Sequence, residues 1–152
     1  QLQHDSACLR TIYKAIDDPV RLAEVLYGGD ITWNHLADGA VLTGTLAKRG
    51  DLRTSSWRPR PCLVRDNFLC YWEPDRQFKE QPAKAVIRLD DAQVELIEDE
   101  ANDDSDIQAQ IMIRVNSLSP RKREVFFGGS KATIQEWFRV ISRTISWFDR
   151  DY

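Results

Sequence analysis

The sequence predicts a mainly β fold with helices: a seven-stranded, bent antiparallel barrel, capped by a C-terminal helix and preceded by an N-terminal helical extension. Three observations lead there. Up to about residue 40 the apolar residues recur at helical spacing. From Val41 onward they fall into short runs broken by turn residues, with no long helical period between them, which favours antiparallel pairing. A stripe at spacings of three and four returns only after Gly128-Gly129. The expected organisation is a helical extension over residues 1–40, packed on a barrel domain over residues 41–152.

Ser6 is placed to cap a first helix carrying Leu9, Ile12, Tyr13 and Ile16. Asp18-Pro19 is a cap followed by proline at the first helical position, and Gly28-Gly29 stops that second helix. Its stripe is Val20, Leu22, Ala23, Val25 and Leu26. Two helices this short are marginal alone and must pack on something larger. Val41 to Arg49 reads as the first strand, with Leu42, Leu46 and Lys48 on one face. Arg58 to Val64 is the second strand, and Asp66-Asn67 turns the chain into Phe68 to Trp72. Pro59 and Pro61 lack a backbone donor, so this strand is expected to be bulged or only partly paired at its start. After a polar loop from Glu73 to Lys84, strands follow at 85–89, 93–97, 107–115 and 124–127. Ser130 caps the last helix, whose stripe is Ile134, Trp137, Phe138, Ile141, Ile145 and Phe148. The opposite face mixes Gln135, Glu136, Arg139 and Arg143. That suits a helix plugging a bent sheet better than one lying on a membrane.

The chain has 152 residues, 42% hydrophobic and 30% charged, as expected for a single globular domain. No apolar run is long enough to span a bilayer. A net charge of −3 argues against general nucleic-acid affinity, but it averages over strong polarity. Residues 48 to 60 carry Lys48, Arg49, Arg53, Arg58 and Arg60 against Asp51 alone. Residues 98 to 106 carry Glu98, Asp99, Glu100, Asp103, Asp104 and Asp106 with no base. Arg121, Lys122 and Arg123 form a second basic run.

Cys8, Cys62 and Cys70 make neither an even disulfide framework nor a metal pair, and His4 and His35 complete no ligand set. Reduced thiols are expected, with a Cys62–Cys70 bridge between neighbouring strands as the alternative. No metal, no cofactor and no enzymatic activity is expected, because the chain carries no phosphate-binding glycine loop and no nucleophile elbow.

Seven strands followed by one tryptophan-bearing helix resemble the pleckstrin-homology (PH) family. Val41-Leu-Thr-Gly-Thr-Leu-Ala-Lys-Arg-Gly50 looks like its first strand, and Trp57 to Trp72 like its second and third. Val125-Phe-Phe-Gly-Gly-Ser130 resembles the approach to the helix, in which Trp137 matches the family's tryptophan. The resemblance runs from about Val41 to Phe148. Many lipid-binding members carry a basic signature that Lys48, Arg58 and Arg60 satisfy at the right spacing.

The residues make the same case chemically. Lys48 lies on one strand face with Leu46, as Arg58 and Arg60 lie with Cys62 and Val64, so each face is apolar at one end and basic at the other. A half-open barrel would bury the apolar ends and ring its mouth with lysine and arginine, which suit phosphate oxygens. The candidate headgroup-binding residues are Lys48, Arg49, Arg53, Arg58, Arg60, Ser55, Ser56 and Tyr71. Trp57, Arg121, Lys122 and Arg123 are candidate membrane contacts, although Trp57 suits core packing equally.

The expected partner is an anionic membrane phospholipid, phosphatidic acid or a phosphoinositide; a protein-interaction module on the same scaffold is the rival reading. The acidic run at 98–106 reads as a solvated loop or a site for a basic protein. A monomer is expected. More narrowly, the chain resembles the acylated PH-domain proteins of apicomplexan-type protozoan parasites, which sense phosphatidic acid during regulated secretion. That resemblance implies N-terminal acylation ahead of Gln1 and a cytoplasmic protein held peripherally on membranes.

Overall fold

The computed structural model describes residues 6–50, 56–98, 106–118 and 124–150, with side chains described from Cys8 to Ser146 within those ranges. Three helices come first, α1 (Ser6–Ala15), α2 (Pro19–Tyr27) and α3 (Trp33–Leu36). Seven strands follow: β1 (Leu42–Arg49), β2 (Trp57–Arg65), β3 (Phe68–Tyr71), β4 (Ala85–Arg88), β5 (Ala92–Glu98), β6 (Ala109–Val115) and β7 (Glu124–Gly129). The long helix α4 (Lys131–Arg150) closes the chain.

The signals at α2 and α4 act as expected. The Asp18 carboxylate accepts from the Val20 N–H, and Gly28 ends α2 with φ +68°, where glycine carries no Cβ penalty. The Ser130 hydroxyl accepts from the Thr133 N–H at the start of α4. One cap was not anticipated: Thr32 starts α3 by accepting from the His35 N–H.

All strand pairs are antiparallel, in the order β4-β3-β2-β1-β7-β6-β5. β4 and β5 are the two edges and do not pair, so the sheet is strongly bent but not closed. Its concave face holds Leu46, Cys62, Val64, Leu69, Ile87, Ile111, Ile113 and Phe127, against which α4 sets Ile134, Trp137 and Ile141. Gly44 gives Trp137 room, since a Cβ there would stand 3.3 Å from the indole.

The convex face of β2–β3–β4 is covered as well. Leu63, Phe68, Cys70, Trp72 and Val86 form a second core with Tyr13, Leu22, Ala23, Ile31 and Leu36. Val20 and Val25 lie outside it, exposed on the far side of α2. Two arginines fasten the layers. Arg88 donates to the Ile16 and Tyr13 carbonyls and pairs with Asp90, while Arg65 donates to the His35 and Leu36 carbonyls and stacks on Tyr27. Gly39 leaves room for Arg65, since a Cβ there would sit 2.7 Å from its guanidinium carbon and push the side chain aside.

Pairing directions fix which connections share an end. β1, β3 and β6 run the same way, so the β1–β2, β3–β4 and β6–β7 connections leave from one end. The β5–β6 connection, bracketed by Glu98 and Asp106, leaves from the other.

Candidate functional site

The basic strand residues meet at the first of those ends. In the β1–β2 ladder Lys48 faces Arg58 and Leu46 faces Arg60. One step further in, Gly44 faces Cys62. Because side chains alternate along a strand, Lys48, Arg58 and Arg60 share the concave face with the buried Leu46, Cys62 and Val64. Tyr71, opposite Cys62 on β3, joins them from the next strand. The Lys48 ammonium lies 5.6 Å from the Tyr71 ring centre, and that ring meets Phe127 edge-on at 5.8 Å. An aromatic floor thus carries a basic rim.

The prolines do not bulge β2. Its ladder with β1 is continuous from Arg49–Trp57 to Leu42–Val64, which corrects half of the expectation from sequence. The other half holds, because β3 pairs β2 only from Cys62 onward. The Pro61 carbonyl accepts from the Trp72 N–H, so the backbone of Pro61, and of Pro59 two residues earlier, faces away from β1. The missing donors therefore fall on the β3 side of the strand, where the ladder with β1 loses no bond and Pro61 keeps only its carbonyl bond to Trp72. Arg58 and Arg60 keep their place beside β1.

Arg60 is held unusually. Its Nη1 reaches only the Pro59 carbonyl, at 3.3 Å, and its Nε is buried without an acceptor among the described residues. A buried donor without a partner is costly, and rotation of the guanidinium toward a phosphate oxygen would satisfy it.

Not every candidate from the sequence joins this cluster. Arg49 points to the convex face, with its guanidinium 3.5 Å from the Phe126 ring centre. Trp57 is half-buried on the same face and packs on Gly128, where a Cβ would stand 3.0 Å from the indole. Ser56 is at the base of the β1–β2 connection, its carbonyl accepting from the Gly50 N–H. Arg53, Ser55, Arg121, Lys122 and Arg123 lie outside the described residues, as do residues 99–105 of the acidic run.

Sequence reasoning missed a pair at the rim. Past the Trp72–Pro61 bond, the β2–β3 register continued one more step sets Glu73 beside Arg60. The Lys84 ammonium donates to the Glu73 carboxylate at 2.7 Å. That hydrogen bond and charge hold the Glu73 carboxyl below its usual range, with Arg60 and Arg58 adding smaller contributions. Both residues were read as a polar loop; continuing the strand register by two positions would have found Glu73.

A cavity of about 800 Å³ lies beside the cluster, between α1 and the open end of the sheet. Its walls include Tyr71, Ala85, Ile87, Val115 and Val125. Cys62 and Cys70 are both free thiols on opposite faces, so the bridge weighed as an alternative does not form. Among the described residues, no group of three or more His, Cys, Asp or Glu side chains could hold a metal, and no helix is long and apolar enough to cross a membrane.

Comparison with curated proteins finds no match. Solved structures resemble the fold at low identity. The human KIAA0053 pleckstrin homology domain has a TM-score of 0.56 at 17% identity, over 71% of this chain and 90% of its own. The Slm1 PH domain in complex with inositol 4-phosphate has 0.58 at 14%, over 70% and 96%. The C-terminal PH domain of pleckstrin, in complex with an inositol pentakisphosphate, has 0.51 at 20%, over 70% and 95%. The PH domain model matches residues 40–146, from just before β1 to within α4, and the chain therefore belongs to the PH domain family.

Proposed function

We propose that this chain is a membrane-recruitment module that holds the phosphate of an anionic phospholipid between Lys48, Arg58 and Arg60, with phosphatidic acid as the preferred ligand. The observation that carries the reading is the convergence of these three side chains on the concave face, with the buried Arg60 Nε lacking an acceptor among the described residues. Arginine supplies a planar fork and lysine a compact charge, and both reach a phosphomonoester lying close to a bilayer surface. The β6–β7 connection leaves from the same end, and the sequence between these strands carries Arg121, Lys122 and Arg123. One domain of this kind binds reversibly. Acyl chains ahead of Gln1 would supply the second attachment, and a role in regulated secretion follows from the same narrower resemblance. A phosphoinositide is the second reading, favoured by the inositol phosphates bound to the Slm1 and pleckstrin domains.

Co-sedimentation with vesicles containing phosphatidic acid, phosphatidylserine or phosphoinositides tests the site. Lys48→Ala/Arg60→Ala should lose roughly tenfold or more in affinity, from two lost contacts of about 1 kcal/mol each. Undiminished binding by the double variant would reject the site. Equal binding of wild type to all three vesicles would leave only diffuse attraction.

A further inference from the structure

The rim pair described above bears on which phosphate the site accepts. Lys48, Arg58 and Arg60 surround the mouth, and Lys84 is a fourth cation at its edge, tied to Glu73 at 2.7 Å. Among the described residues, Glu73 is the acidic side chain that the strand register directs toward Arg60. Its carboxylate and the Lys84 ammonium are both well exposed, 62% and 45%, so the pair contributes little to holding the fold and is open to an incoming headgroup. An anion fixed at the wall of a cationic site repels a second or third phosphate more than it repels a single one. The first phosphate sits at the centre of the basic cluster, while additional ring phosphates must reach toward the rim. Glu73 also occupies Lys84, which would otherwise be available to such a rim phosphate.

We infer that Glu73, tethered by Lys84, is a specificity-determining counter-charge that favours a single phosphomonoester over polyphosphorylated headgroups at the mouth formed by Lys48, Arg58 and Arg60. The inference rests on the headgroup-binding reading and sharpens its choice of ligand.

The test compares wild type with Glu73→Gln and Lys84→Ala on vesicles of matched total charge containing phosphatidic acid, a phosphatidylinositol monophosphate or a bisphosphate. Glu73→Gln should raise affinity for the bisphosphate roughly fivefold more than for phosphatidic acid, because it removes the repulsion and releases Lys84 together. Lys84→Ala leaves Glu73 free to pair with Arg60. It should weaken binding to every vesicle by roughly threefold without reversing the preference.

A second readout follows the Glu73 carboxyl by NMR during titration with vesicles or with soluble glycerol phosphate. A phosphate bound beside it should raise its pKa, since a neighbouring like charge favours the neutral acid. An unchanged bisphosphate-to-monoester ratio in Glu73→Gln would overturn the inference, as would a Glu73 pKa that binding does not move. If binding depends on Lys48 and Arg60 while these readouts fail, only the counter-charge falls. If wild type binds no anionic vesicle, the headgroup reading falls and takes the counter-charge with it.

Discussion

Cys62 and Cys70 stand on neighbouring strands, yet they never meet. The ladder sets Cys62 opposite Tyr71 and Leu63 opposite Cys70, so one thiol enters the concave core and the other the convex one. Burial pushes each thiol up to about 12, because neither core solvates a thiolate. Cys8 is only half-buried. A thiol reagent should therefore modify one cysteine in the native protein and three in denaturant, and two fast-reacting native thiols would contradict the packing. The same shifts make a stability prediction. A thiol whose folded pKa lies above its unfolded value of about 9.0 contributes fully below pH 9 and loses its contribution as pH climbs toward 12. Tyr13 and Tyr27 are also raised, by burial first and neighbouring aspartates second, and pull in the same direction. Melting temperature should stay level between about pH 7 and 8.5 and fall steadily from about pH 9. A flat or rising curve above pH 9 would contradict these burials.

At the scale of elements, the three N-terminal helices belong to the structure of the sheet. They cover Leu63, Phe68, Cys70, Trp72 and Val86, each of which is less than a tenth exposed. The Arg88 and Arg65 bonds to backbone carbonyls tie that cover down. Removing residues 1–40 would expose two large aromatic side chains and three aliphatic or thiol ones on one face, a patch large enough to drive association. The shortened chain should bind a hydrophobic dye, elute as aggregate and lose cooperative melting. A monomeric, cooperatively melting chain of residues 41–152 would show instead that the convex face does not need its cover.

The cover also explains what the sequence left open. Strand β5 and helix α4 were legible because one face of each is wet, so period and burial agree. In β2 and β3, continuous burial from Cys62 to Val64 and from Phe68 to Trp72 hides the period. Only the register, seen in the structure, separates the two cores. The basic triad was legible because Lys48, Arg58 and Arg60 lie on paired strands joined by one connection. The placement of Arg49 on the far face follows from the same alternation. Glu73 and Lys84 were hidden because the partners stand eleven positions apart, across a loop that the fold returns to contact.

At the scale of the whole molecule, the sign of the net charge and the sign of the proposed binding mouth disagree. The chain carries −3 overall, which repels an anionic bilayer at long range. Strand direction nevertheless gathers Lys48, Arg58, Arg60 and the connection bearing Arg121, Lys122 and Arg123 at one end, while Glu98 and Asp106 mark the other. The two descriptions predict opposite responses to salt. If average charge governed association, screening would weaken repulsion and affinity for phosphatidic acid vesicles would rise with ionic strength. If the polarised mouth governs it, screening weakens attraction and affinity falls. The Debye length is about 10 Å at 0.1 M salt, so charges near the bilayer are felt while those at the distant end are already largely screened. Each basic side chain near the surface contributes about 1 kcal/mol at modest salt. Vesicle affinity of the wild type should therefore drop by at least about tenfold between roughly 0.05 M and roughly 0.5 M salt, and Lys48→Ala/Arg60→Ala should flatten that slope. An affinity that holds level would point to apolar insertion as the main contact, and one that rises would show that the bulk charge, rather than the mouth, decides the encounter.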